Sequence, residues 1–184
     1  LHINSLPELK RAGDKQRWDG VAGAGSSLLL ASFAAQAQGL TVIVTENTQQ
    51  AERLHQEAVF FCTEDIPLLE FPDWEILPYD NFSPHQDIIS ARLTALTSLP
   101  SMQKGLLILP VSTLLHHLVP QSYIKGMSLE LTTGQELNRD DFRKELESAG
   151  YLRVESVYEH GEFTVRGSIM DIFPMGSNQP YRID

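Results

Sequence analysis

The 184-residue chain sets 14 Lys and Arg against 24 Asp and Glu, a formal net charge of −10. That balance excludes a large basic face of the kind that grips nucleic acid and suits a basic protein partner instead. The length leaves room for about one to two soluble domains with a real core, and Cys62, the single cysteine, rules out an intrachain disulfide and the cysteine-rich zinc patterns. Apolar runs such as Leu28–Leu30 and Leu106–Leu109 are too short to cross a bilayer, and no basic, then apolar, then small-residue pattern opens the chain, so a cytoplasmic location is expected.

The first informative stretch is Gly20-Val-Ala-Gly23-Ala-Gly25-Ser26-Ser27. It has the spacing of a phosphate-binding P-loop, G-x-x-x-x-G-K-[ST], with Ser26 where that motif places lysine. In such a loop backbone N–H groups surround the phosphates, the lysine neutralises the β and γ oxygens, and the final hydroxyl, here Ser27, holds magnesium. Phosphoryl transfer depends on that electrostatic positioning, so the reading is a retained fold with a lost activity and no catalytic residue. A dinucleotide fingerprint fits worse, because Leu28 stands where its third glycine belongs.

The flanks support a strand and helix context. Ser26–Gln38 reads as a helix stopped by Gly39, and Thr41–Thr45 as a short buried strand. Thr48 is the expected cap of a helix from Gln49 to Phe61, with Ala51, Leu54, Ala58 and Phe61 on one face. Leu68–Phe71 is a second strand. After a proline-punctuated connector, Ser83-Pro84-His85-Gln86 reads as an N-cap, a first-turn proline and a capping-box glutamine. The helix so started is expected to reach Leu99 with Ile88, Ile89, Leu93, Leu96 and Leu99 as its stripe, and Leu106–Leu109 follows as a core strand. This alternation is that of a parallel α/β sheet.

The composition changes near residues 119 to 127. Met127–Leu131 reads as a strand, Asn138 as the cap of a helix from Arg139 to Ala149 ended by Gly150, and Leu152–Tyr158, Phe163–Arg166 and Ser168–Phe173 as strands joined at His160-Gly161 and Gly167. The expected architecture is therefore α/β: a degenerate P-loop NTPase-like lobe with a parallel sheet over residues 1–122, then a smaller α+β inserted module over 123–184. Metal chemistry has little support. His116 and His117 are adjacent, whereas helical ligands need three- or four-residue spacing. The carboxylates Glu64, Asp65, Asp140, Asp141, Glu159 and Glu162 join no nucleophile or ligand set, and those near helix starts suit the dipole. Trp74 and Tyr79 are expected to tuck over the connector's own core.

Three stretches carry a family resemblance: Trp18–Ser27, Leu77–Leu93 with its Pro-Tyr-Asp-Asn-Phe-Ser-Pro-His-Gln core, and Glu159–Gly176 with Phe163-Thr-Val-Arg-Gly167. Together they resemble the start of the transcription-repair coupling factors, and the same region is similar to the excision-repair helicase UvrB, whose corresponding loop keeps Gly-Lys-Thr. The resemblance implies a catalytically dead UvrB-like module that recruits UvrA. ATP and magnesium, DNA translocation and RNA polymerase binding are implied for later domains, with no cofactor for these residues. It further implies that Arg166 and Arg182 belong to the UvrA surface, which extends beyond Asp184, so that the inserted module is incomplete here.

Read from the residues alone, Arg166 between Val165 and Gly167 projects from a sheet edge and is suited to a bidentate pair with a partner carboxylate. The plainer alternative is a solvated or internally paired arginine, and Asp171 is a candidate internal partner for either Arg166 or Arg182. Two functions remain open at this point: a protein-recruiting module, or a regulatory nucleotide-binding domain whose loop still holds phosphate through its N–H groups.

Overall fold

The computed structural model describes residues 11–62, 66–77, 79–126 and 131–184. The expected strand at Met127–Leu131 falls almost wholly outside them, as do Glu64 and Asp65. The described chain divides into two compact units, residues 1–73 with 101–115 and residues 74–100 with 116–184.

The first unit contains α1 (Gly25–Gln36), β1 (Leu40–Thr45), α2 (Thr48–Phe61), β2 (Leu68–Glu70) and β3 (Gly105–Pro110). Its sheet is parallel with order β1-β3-β2, as the alternating pattern predicts. All six residues of β3 are buried, which is why the central strand reads as an unbroken apolar run. On one face Leu106 and Ile108 meet Ala34 of α1 and Ala51 and Ala58 of α2; alanines at these contacts let two helices lie close to the strands. Gly105 opens β3 at φ +140°, and a Cβ there would sit 2.6 Å from the carbonyl oxygen of Pro67, so the strand starts where only glycine fits. The cap of α2 is Asn47, whose side chain accepts from the N–H of Gln50 at 2.9 Å. Thr48, the expected cap, is instead the first helical residue. Asn47 already has the extended backbone of a cap, and asparagine is the stronger capping residue.

In the second unit, α3 (Gln86–Ser98) is followed by α4 (Gln121–Gly126), α5 (Arg139–Ser148) and the strands β4 (Leu152–Arg153), β5 (Glu162–Arg166), β6 (Ile169–Phe173) and β7 (Tyr181–Ile183). Relative to the compositional change near 119 to 127, the contacts group α3 with this unit. The cap of α3 is His85, whose Nδ1 accepts from the N–H of Asp87 at 3.3 Å, so Ser83 and Pro84 precede the helix rather than start it. The expected stripe of α3 is only half-buried, and its fully buried residues are Ser90, Arg92 and Ala95. Arg92 lies 4.1 Å above the Trp74 ring, a cation–π contact that shields the guanidinium. Tyr79 is fully exposed, so only the first of the two connector rings is covered.

The sheet order is β4-β5-β6-β7, with β4 parallel to β5 and the other pairs antiparallel. One face, Phe163, Val165, Met170, Ile172 and Ile183, packs on Phe142 and Leu146 of α5. Those two residues are four apart and share a helix face. Asn138 caps α5 as expected, accepting from the N–H groups of Asp140 and Asp141 at 3.1 and 3.2 Å. Its removal in Asn138→Ala is expected to cost about 1 kcal/mol, measurable as faster amide exchange at the start of α5. The expected strand Leu152–Tyr158 shrinks to two residues. After the bond from Val154 N–H to the Phe163 carbonyl the backbone leaves the ladder, and Glu155 and Ser156 turn toward Arg166.

Candidate functional site

The ladder registers place Arg166 and Arg182 on the same side of the second sheet. Arg166 stands opposite Ile169, and Asp171, two residues further along β6, stands opposite both Thr164 and Arg182. Alternate residues share a face, so Glu162, Thr164, Arg166, Ile169, Asp171, Phe173 and Arg182 line the side away from α5. Both sequence-predicted arginines are thus brought together.

Each guanidinium is held from within. Arg182 donates from Nε and Nη2 to the two oxygens of Asp171 at 2.6 and 2.9 Å, the bidentate fork that fixes a guanidinium in orientation. Its side chain stays 65% exposed while that of Asp171 is 21% exposed, so the remaining N–H groups of Arg182 face solvent. Arg166 donates from Nη2 to the Glu155 carbonyl and to Ser156 Oγ. Asp171 is the internal partner of Arg182, and hydrogen bonds from Arg182 are the first cause that holds its carboxyl below the usual range. Partial burial opposes that lowering, while the charges of Arg182 and Arg166 add to it. The same pairing raises Arg182. Two preoriented cations flanking one neutralised carboxylate make a surface suited to partner carboxylates.

The glycine loop has a different geometry. Gly20 and Gly23 take positive φ, and α1 starts at Gly25, but residues 14–19 before the loop form no strand. The N–H groups of Gly25 and Ser26 bond to the carbonyls of Ala22 and Gly23, and Ser26 Oγ also bonds to Gly23. Ser27 is buried and donates its hydroxyl to Glu57 of α2 at 2.5 Å. Two of the loop's N–H groups and the Ser27 hydroxyl are therefore engaged internally, and a carboxylate stands beside the hydroxyl. Glu57 was not singled out by the sequence, since nothing local marks a contact between residues thirty apart.

The other described candidates lie apart from the arginine face or serve local structure. Glu162 accepts from the N–H groups of Tyr158 and Glu159 and so folds its own turn. His116 and His117 follow a short 3₁₀ turn at Val111–Leu115 rather than sitting on a helix. Among the described residues no group of three or more His, Cys, Asp or Glu is arranged to hold a metal ion, and no helix is long and apolar enough to cross a membrane.

A family model for the UvrB interaction domain matches residues 129–184, the span that contains α5 and the arginine face. The chain is similar to the transcription-repair-coupling factor of Escherichia coli (strain K12), 46% identical over 174 residues, which is 95% of this chain and 15% of that protein. The corresponding factor of Haemophilus influenzae is 48% identical over 158 residues, 86% of this chain and 14% of that protein. That of Staphylococcus aureus (strain USA300) is 31% identical over 166 residues, 90% and 14%. The chain spans 14 to 15% of the length of these curated relatives. With identity sustained along nearly all of its length and a UvrB interaction domain over its arginine-bearing sheet, the chain belongs to the transcription-repair-coupling factor family.

Proposed function

We propose that this part of the protein is a non-catalytic, UvrB-like recruitment module that docks on UvrA through the β5–β7 face, with Arg166 and Arg182 as its charged anchors. The observation that carries the reading is the placement of both arginines on one exposed sheet face, each held by a partner inside the module. Preorganised guanidiniums lose little freedom on binding and match planar carboxylates. In this reading residues 123–184 are the inserted UvrA-binding module and residues 1–122 a degenerate P-loop lobe. ATP-dependent DNA translocation and contact with RNA polymerase belong to later domains of a cytoplasmic protein that brings UvrA to stalled transcription in nucleotide excision repair.

We infer that the Gly20–Ser27 loop does not serve as a nucleotide sensor. An incoming phosphate would face the Glu57 carboxylate already on Ser27, a like charge in place of the missing lysine's attraction. Ser26→Lys is therefore expected to leave ATP-magnesium binding undetectable by calorimetry. Binding by that variant would mean that the lysine alone had been lost.

The docking reading is tested by calorimetric titration of the chain with purified UvrA, with ATP-magnesium as a parallel ligand. Saturable heat with UvrA and none with nucleotide is expected. A chain folded by circular dichroism that gives no heat with UvrA overturns the reading.

A further inference from the structure

The loop of residues 174–180 delivers the chain into β7, a three-residue strand that carries Arg182. So short an edge strand has little ladder of its own, and the place of its feeding loop decides whether Arg182 meets Asp171. Side chains from other elements of the second unit pin that loop. Ser90 Oγ accepts from the N–H of Gly176 at 2.8 Å, and the Tyr151 hydroxyl oxygen accepts from the N–H of Met175 at 3.0 Å. The third pin is His160, with Nε2 2.7 Å from the Ser177 carbonyl oxygen and Nδ1 2.8 Å from Asp87 Oδ1 at the start of α3.

His160 differs from the other two pins in being held at both ends. Its ring rests on Phe173 at 4.1 Å between centroids, and its side chain is only 15% exposed. Asp87 itself is fixed at the start of α3, where its N–H donates to His85 Nδ1 at 3.3 Å. Both neighbours of the His160 ring, the Asp87 carboxylate and the Ser177 carbonyl, are acceptors. Beyond Ser177 the order continues: Ser177 Oγ bonds to the Gln179 carbonyl and accepts from the Gln179 N–H, two residues before β7. A connected path runs from Asp87 through His160 and Ser177 to Gln179, where the chain enters β7 two residues later.

We propose that His160, braced by Asp87, is a positioning residue for partner recognition: it holds the 174–180 loop so that β7 presents Arg182 in its fork with Asp171. The inference rests on Arg182 being a partner contact. Two measurements on His160→Ala test it, and one of them needs no partner. Amide exchange of residues 177–183 in the free chain is expected to accelerate roughly ten- to a hundredfold, the range set by losing a hydrogen bond to a charged group, while amides of α5 keep their rates. In UvrA titrations, His160→Ala is expected to weaken binding by about tenfold in the otherwise unsubstituted chain and to have no further effect in an Arg182→Ala background. A merely structural histidine would lower affinity in both backgrounds.

Unchanged exchange at 177–183, or an equal loss of affinity with and without Arg182, overturns the proposal. Accelerated exchange in a chain whose unsubstituted form fails to bind UvrA keeps the latch and sinks the docking reading, so the two failures are distinguishable. Should His160→Ala lose protection throughout the second unit, Asp87→Ala decides the matter, since that carboxylate is 66% exposed at a helix start. The same local acceleration at 177–183 supports the brace, and its absence overturns it.

Discussion

Phe163→Ala is expected to lower the stability of the second sheet by about 3 to 4 kcal/mol, toward the low end of what truncating a buried phenylalanine costs. Phe163 is 0% exposed and lies among Phe142, Leu146, Met170 and Ile172, so the substitution loses the transfer of a ring and leaves a cavity between α5 and two strands. The low end follows from Met170, whose flexible side chain moves into part of the vacated space. Because the chain has two compact units, a single melting temperature is not the proper readout. Native-state exchange of the β5 and β6 amides reports the opening of this sheet directly. A loss under about 1 kcal/mol would show that Phe163 does not anchor the packing of α5 on the sheet. Phe163→Leu, which keeps most of the volume, is expected to cost less than half as much.

What the sequence made legible follows from how each element buries itself. The first sheet was readable because β3 is buried along its whole length and needs apolar residues at every position. The arginine positions were readable because Val165-Arg166-Gly167 marks a strand end and because the longer motifs carried the family resemblance. The buried face of α3 was not readable, since Ser90 and Arg92 are polar types whose burial depends on Gly176 and Trp74, partners set by tertiary packing. Likewise β7 is three residues after a proline, too short for a pattern, and without it the pairing of Asp171 with Arg182 rather than Arg166 stayed open. The contact between Asp87 and His160 joins residues 73 apart, and each reads locally as something else: a first-turn acid and a turn residue.

Arg166→Ala with Arg182→Ala is expected to reduce UvrA affinity by about a thousandfold, taking roughly thirtyfold for each arginine at the centre of an interface. Arg182→Ala is expected to be the worse single change. It removes a cation and also leaves Asp171 as a bare carboxylate facing whatever acid the partner presents, a like-charge penalty added to the lost contact. Deleting that carboxylate as well, in Arg182→Ala/Asp171→Ala, is therefore expected to recover part of the loss, whereas an arginine that merely sustained the fold would show no recovery. The pH dependence carries the same logic with a definite sign. Arg182 lowers the Asp171 carboxyl, so the pair is intact above the unfolded carboxylate value of about 3.9 and is lost only as pH falls through the lowered value. Affinity in the unsubstituted chain should thus owe no change to this pair between about pH 5 and 8. In Arg182→Ala the principal lowering causes are gone while partial burial still raises the carboxyl, so acidification neutralises Asp171 earlier and the variant's deficit narrows first. Calorimetry of both proteins below about pH 5, where carboxylates begin to protonate, reads the difference, and parallel pH profiles there would show that Asp171 plays no part in the docking surface.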